Sequence, residues 1–233
     1  ACAAALPGRC MAAVTIASVA PYTAGEFDWF DGMAEENVQE FGLALQGAEA
    51  LTPFLEAFAG AVSSISPEDI ASSLGGLLSE VDKAHMTGDL ANWLAETFRI
   101  GLSHGIAGQL DDDLAFMNDW GFDLKNVKRV TVWQGGQDRM VPYGHGVWLA
   151  DHIPGSQRRL FPAEGHLSIA VGSFDRILDE LLSPPERPAG SVGHLVWDDV
   201  TPLPSHPRDL GKDPLRHRRT NGRTRCSTIC AIS

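Results

Sequence analysis

Three residues in this sequence have the types, order and local setting of a nucleophile, an acid and a base. Ser103 stands in GLSHG, which fits the G-x-S-x-G pattern typical of a serine nucleophile, Asp138 stands in GGQDRMVP, and His166 stands in EGHLS. A histidine that is oriented by a carboxylate can take the proton of a serine hydroxyl, so that the serine attacks a carbonyl carbon. The order Ser, Asp, His along the chain is one of the orders in which such a triad occurs.

Asp138 and His166 each follow an expected strand. The segments VTVW and RLF end in glycine-containing loops that carry these two residues, and the helical segment YGHGVWLADHIPG lies between them. This alternation of strand and helix is typical of a parallel α/β sheet, in which catalytic groups collect at the carboxyl ends of the strands. Alternatively, Asp138 caps the helix that starts near Pro142, and His166 is a loop histidine with a structural hydrogen bond. Because both residues follow strands at the same edge of the sheet, we favour a joint catalytic role over these two structural roles.

The rest of the chain must supply the elements that position this pair. Residues 1–23 predict the end of a helix and then a buried strand in MAAVTIASVAP, which form the end of a first core half. Residues 24–110 show apolar residues at three- and four-residue steps without a strand signal, which predicts a helical insertion. SPED at residues 66–69 predicts a helix start within it, with a serine cap and acids in the first turn. Residues 111–183 predict the second core half.

VTVWQGGQDRMVP resembles the acid-bearing segment of the α/β-hydrolase fold family, and FPAEGHLSI resembles its histidine loop. The resemblance covers residues 1–183. It implies a partial α/β-hydrolase-type parallel sheet in which the helical insertion of residues 24–110 is the family's cap. It also implies Asp138 as the acid and His166 as the base. We expect no cofactor and a small-molecule substrate.

The same resemblance argues against Ser103. In the family, the nucleophile stands on a sharp turn between a strand and a helix, whereas GLSHG follows an expected helix, NWLAETFRI. We therefore expect GLSHG to be a helix end that Gly105 terminates, and the strand and turn of the nucleophile to lie before Ala1. A serine nucleophile would cleave esters, amides or thioesters through an acyl-enzyme. An aspartate would instead open epoxides or haloalkanes through an alkyl ester.

Other residues indicate weaker candidate sites. Asp111, Asp112 and Asp113 could bind a hard cation, but a solvated helix cap is the simpler interpretation. His145 and His152 share a helical face and could bind a metal, but we expect them to be surface histidines, and we expect no metal site. Aromatic residues of the insertion could line an apolar pocket, although their helical spacing favours packing. These aromatic residues are Trp29, Phe30, Phe54, Phe58, Trp93 and Phe98.

The composition is that of an ordinary globular protein, with 44% hydrophobic and 21% charged residues among 233. A formal net charge of −12 argues against a nucleic-acid partner, because phosphate contacts need a basic face. No apolar run is long enough to span a bilayer and the first residues do not resemble a signal peptide, so we expect no membrane partner and a cytoplasmic location. The spacing of the four cysteines fits no disulfide or zinc-binding pattern, so we expect these residues to be thiols that form neither.

Residues 184–233 differ from the rest of the chain in composition. They are rich in proline and arginine, carry more basic than acidic residues and show no apolar period, which predicts a disordered tail. RHRRTNGRTR within this tail could bind an acidic partner, but a solvated basic segment is the simpler interpretation.

Two functions of different classes are consistent with these patterns. The first is hydrolysis of an ester, amide or similar small apolar substrate by a nucleophile together with His166 and Asp138. The second is a non-catalytic fragment or pseudoenzyme that serves as a ligand-binding or interaction module, since the turn that would carry a nucleophile is not found. The sequence leaves the oligomeric state open.

Overall fold

The strands expected from the sequence form one parallel sheet. A computed structural model of the chain describes residues 1–25 and 27–182 and the backbone of 226–230. Within these residues, β2 (Val130–Gly135) lies between β1 (Cys10–Ile16) and β3 (Gln157–Phe161), and both pairings are parallel. The α/β class predicted from the sequence is confirmed.

A further strand, β4 (Cys226–Cys230), pairs in parallel with the other side of β1. The edge of β1 presents unpaired backbone N–H and C=O groups, and this short run with threonine and isoleucine pairs with them. Residues 183–225, with the basic run at 216–225, and residues 231–233 lie outside the described residues, so disorder there stays a prediction.

Helices cover the sheet and fill the described chain between β1 and β2. None of the described helices is long and apolar enough to cross a membrane. The helices are α1 (Cys2–Ala5), α2 (Glu35–Ala44), α3 (Ala48–Val62), α4 (Ile70–Ser73), α5 (Glu80–His85), α6 (Gly88–Gly101), α7 (Ala107–Phe116), α8 (Tyr143–His152) and α9 (His166–Leu182).

Each face of the sheet packs against a different helix. Ile169 and Ile177 of α9 join Trp133 of β2 in one buried cluster, whereas Leu149 of α8 joins Val132 in another. Because neighbouring residues of a strand point to opposite faces, α8 and α9 cover opposite sides of β2. A strand that is buried on both faces reads as a short apolar run instead of an alternating one, which is why VTVW was recognisable.

The segment between β1 and β2 contains helices and turns and no strand among its described residues, as the sequence predicted. At residues 66–69 the Ser66 hydroxyl accepts the backbone N–H of Asp69, as the expected serine cap would, but these residues form a turn and α4 begins only at Ile70. Helix α7 crosses the boundary expected between residues 110 and 111 and packs against α2 and α3. The assignment of residues 24–110 as a cap stays a prediction.

Candidate active site

The carboxylate of Asp138 is held by its own loop after β2. Its Oδ1 accepts hydrogen bonds from the backbone N–H groups of Met140, at 2.9 Å, and Val141, at 2.8 Å. Its Oδ2 accepts a hydrogen bond from Nε2 of Gln134 at 3.1 Å. The residue is 4% exposed. One carboxylate oxygen therefore holds the loop before α8 without capping that helix, which has no side-chain cap, while the other points to a neighbouring group.

That neighbouring group is the imidazole of His166. Its Nδ1 lies 2.9 Å from Oδ2 of Asp138, so the structure brings together the two residues that the sequence paired. His166 is the first residue of α9 and not, as expected, a residue of the loop before it. An ionised Asp138 keeps the proton on Nδ1. Nε2 is buried and has no hydrogen-bond partner among the described residues.

Opposing effects determine the pKa of His166. Burial disfavours the imidazolium and lowers the pKa, whereas the charge and hydrogen bond of Asp138 and the charge of Asp82 raise it. The carboxylates outweigh burial, so the pKa of His166 lies above its ordinary value. An imidazole in this setting binds a proton readily, which is what a general base requires.

Glycines allow the acid loop and the histidine loop to touch. A Cβ atom on Gly135 would lie 2.3 Å from the carbonyl oxygen of Gly165, and one on Gly136 would lie 2.5 Å from Cα of Pro162. Both distances are shorter than any side chain tolerates against backbone, so the two loops can approach this closely only with glycine at both positions. This contact helps to bring Asp138 within hydrogen-bond distance of His166.

Asp82 of α5 belongs to the site but was not expected from the sequence. Its fully buried carboxylate accepts hydrogen bonds from the backbone N–H groups of His166, Leu167 and Ser168 at 2.9–3.0 Å. It also accepts one from the Ser79 hydroxyl at 2.7 Å. The S-x-x-D spacing of Ser79 and Asp82 is a local helix-start signal, but nothing local indicates a contact with residues so far along the chain.

Ser103 is not brought to His166. It follows α6, is exposed, and its hydroxyl donates to the carbonyl oxygen of Ile100 at 2.7 Å. Gly105 has a φ of +96°, a conformation that glycine adopts readily at the end of a helix. Helix α6 ends at Gly101, so GLSHG marks a helix end as predicted, but Gly105 lies four residues beyond α6 and is not the residue that terminates it.

His145 is buried, so the expectation of a surface histidine is wrong for this residue. The backbone N–H of Ala20 donates to its Nδ1 at 3.0 Å, and its Nε2 donates to the carbonyl oxygen of Trp29 at 2.8 Å. Burial lowers the pKa of His145 to about 4, so the ring is neutral and links α8 to the segment after β1. His152 is exposed, as expected. The described residues contain no group of three or more histidine, cysteine or acidic side chains that could hold a metal ion.

Asp113 is also buried, so its expected role in a solvated helix cap is wrong. Because α7 begins at Ala107, Asp113 lies inside the helix, where its carboxyl group interacts with that of Glu40 of α2. Glu40 in turn accepts a hydrogen bond from Nε2 of Gln109 at 3.0 Å. Burial and the charge of Glu40 raise the pKa of Asp113 to about 8. The carboxyl pair therefore retains a proton at neutral pH.

We expect Asp113→Asn to stabilise the protein above pH 8. The folded protein holds the Asp113 proton up to about pH 8, whereas the unfolded chain releases it near pH 4. Stability therefore falls as the pH rises between these values, and a neutral amide removes this loss. The free energy of unfolding at pH 9 should increase by about 1–2 kcal/mol, because solvent screens part of the effect.

Urea unfolding at pH 5 and pH 9 measures this difference. Asp111→Asn is the matched control, since Asp111 is an exposed carboxylate on the same helix. Equal pH dependence in wild type and Asp113→Asn would contradict the buried, protonated pair.

The aromatic residues of the helical segment mostly pack against one another. Trp29 is 4% exposed, donates from Nε1 to the carbonyl oxygen of Ala20, and meets Phe41 edge to face. Phe58 and Phe98 form a second edge-to-face pair. These contacts favour packing over a pocket lining, except at Trp93, which is 60% exposed.

A cavity of about 320 Å³ borders the Asp138 loop. His166 does not line it, so this cavity is not built around the unpaired Nε2 atom. The lining residues are Asp31, Gly32, Gly136, Gln137, Asp138, Arg139, Pro142, Tyr143 and Gly144.

Comparison with known proteins gives structural matches only. No protein-family model and no curated protein matches the sequence. A variant of a meta-cleavage product hydrolase from Pseudomonas fluorescens matches 75% of this chain and 55% of its own, with 19% identity and a TM-score of 0.46. A hydrolase from Oleispira antarctica matches 76% of this chain and 59% of its own, with 16% identity and a TM-score of 0.44.

An enzyme described as degrading N-acyl homoserine lactones matches 75% of this chain and 59% of its own, with 18% identity and a TM-score of 0.43. The chain thus spans 55–59% of the length of these three structures. At this level of similarity the matches carry no argument about the chemistry, which has to be argued from the site.

Proposed function

We propose that the chain takes part in the hydrolysis of an ester, amide or similar small apolar substrate, with His166 as general base and Asp138 as the acid that orients it. The observation that carries the proposal is the asymmetric environment of the imidazole. Nδ1 is bound to a buried carboxylate, while Nε2 is buried without a partner among the described residues. Unpaired buried polar atoms are rare in folded proteins and are often found where chemistry takes place.

The geometry supports a defined path for the proton. Asp138 accepts the hydrogen bond from Nδ1, so the lone pair of Nε2 is available to take a proton from a nucleophile hydroxyl or from water. The imidazolium that forms is stabilised by Asp138, and its Nε2 proton then passes to the leaving group. The hydrogen bonds from Met140 and Val141 hold the carboxylate in place throughout these steps.

The alternative is a non-catalytic module that binds a ligand or a partner. It is favoured by the same unpaired Nε2, because no described hydroxyl or thiol reaches this atom. A buried His–Asp pair can also serve as a fixed structural element, so the two functions differ in whether hydrolysis depends on His166.

The experiment is to measure hydrolysis of p-nitrophenyl acetate and butyrate by the purified chain and by its His166→Gln variant. Because no described hydroxyl or thiol reaches Nε2, we expect the wild type to hydrolyse these activated esters with water as the nucleophile and His166 as its base, and we expect the variant to lose this activity. His152→Gln, which changes an exposed histidine of α8, and Ser103→Ala serve as controls and should retain activity.

Two outcomes would oppose the proposal. Hydrolysis that persists in His166→Gln would show that another group does the chemistry. A wild-type rate no greater than that of His166→Gln would favour the non-catalytic module.

A further inference from the structure

We propose that Asp82 is a positioning residue for His166, through which the helical segment between β1 and β2 controls the geometry and charge of the site. The inference rests on the proposed function insofar as His166 is the general base. It adds a residue from a different part of the chain, 84 positions before the histidine.

Asp82 makes several contacts with the start of α9. The carboxylate of Asp82 accepts the backbone N–H groups of the first three residues of α9, with Oδ2 bound to His166 and Oδ1 to Leu167 and Ser168. These N–H groups have no acceptor inside their own helix. A single side chain from α5 therefore caps α9 and fixes the backbone from which the imidazole projects.

Asp82 also changes the charge at the start of α9. The N-terminal end of a helix carries a partial positive charge, which disfavours an imidazolium on its first residue. Asp82 places a buried negative charge on that end, and this charge helps to raise the pKa of His166. Asp138 contacts the ring directly, whereas Asp82 acts through the backbone of the same residue.

The residue before His166 leaves space for the Asp82 carboxylate. A Cβ atom on Gly165 would lie 2.3 Å from Oδ2 of Asp82, so only glycine lets the carboxylate reach the helix end. The Ser79 hydroxyl, itself the cap of α5, donates to the same Oδ2 atom. Ser79 is buried with Asp82, so the interaction is shielded from water.

The same helical segment also holds the loop of the acid. The backbone N–H of Ala34 donates to the carbonyl oxygen of Arg139 at 2.7 Å, and Nδ2 of Asn37 donates to that of Met140 at 3.2 Å. The segment between β1 and β2 therefore contacts both the loop that carries Asp138 and the helix start that carries His166. Asp82 makes the second of these contacts.

The test compares Asp82→Asn with Glu80→Gln, which changes an exposed carboxylate of the same helix that is paired with Lys83. The His166 ring is titrated by NMR in the full chain, and ester hydrolysis is followed against pH. We expect the pKa of His166 to fall in Asp82→Asn and the rising limb of the pH profile to move to lower pH. We also expect kcat/KM to fall about 10–100-fold, because the ring is less well placed. Glu80→Gln should change none of these.

The NMR titration separates this inference from the proposed function. A lowered pKa of His166 in a chain that hydrolyses no ester would support the role of Asp82 and oppose catalysis. An unchanged pKa in a folded Asp82→Asn variant would overturn the inference, whatever the activity.

A second variant covers the case in which Asp82→Asn does not fold. Ser79→Ala keeps the carboxylate but removes one of its four hydrogen-bond donors. We expect faster amide hydrogen exchange at residues 166–168 in this variant. Exchange as slow as in wild type would overturn the inference.

Discussion

Asp138→Asn is expected to lower kcat/KM for ester hydrolysis by roughly 10³–10⁴-fold while the protein stays folded. The amide keeps the shape of the carboxylate, and its oxygen can still accept the N–H groups of Met140 and Val141. Its NH₂ group then faces Nδ1 of His166, which favours the tautomer with the proton on Nε2. That nitrogen can no longer accept a proton, and the loss of negative charge also lowers the pKa of His166.

Steady-state kinetics together with the ¹⁵N shifts of the His166 ring measure both parts of this expectation. Asp151→Asn is the matched control, because Asp151 is an exposed carboxylate on α8 that pairs with Arg158. A variant with the wild-type tautomer and a rate within a few-fold of wild type would contradict the assigned role of Asp138.

Gly135→Ala is expected to lower the free energy of unfolding by about 3 kcal/mol, because the new methyl group meets backbone that cannot rotate away. Its Cβ atom would lie 2.3 Å from the carbonyl oxygen of Gly165 and 2.5 Å from that of Glu164. Relief requires the acid loop and the histidine loop to separate, so hydrolysis should fall together with stability.

Urea unfolding of Gly135→Ala and of Gly108→Ala tests whether this contact is as close as described. Gly108 lies in α7 with open space around its Cα, so the same substitution there should raise the free energy of unfolding by about 0.5–1 kcal/mol. Equal effects of the two substitutions would contradict the close approach of the loops.

The features that could be predicted from the sequence are those set by short-range patterns. The strands were visible as short β-branched runs, and the parallel arrangement followed from their alternation with helices. Because parallel strands end at one edge of a sheet, Asp138 and His166 could be expected to meet, and they do. GLSHG follows an expected helix and not a strand, which is why Ser103 was not expected to be the nucleophile.

What could not be predicted depends on which face of a helix meets which neighbour. Asp113 and His145 have ordinary surface residue types at helical spacing, and only the packing of α7 on α2 and of α8 on the segment after β1 buries them. Asp82 was missed for the same reason, since its partners are backbone N–H groups, which leave no trace in side-chain patterns.

The direct pairing of β1 with β2 has a consequence for how this protein folds. Ala13 lies opposite Val130, so the two central strands meet only when a loop that contains α2 to α7 has closed. The entropy lost on closing such a loop grows slowly, by about 0.6 kcal/mol for each doubling of its length, so the helical segment adds little to the thermodynamic cost of the sheet. Pairing between distant residues does slow folding. Loop closure therefore limits the rate at which the site assembles more than it limits the stability of the site once formed.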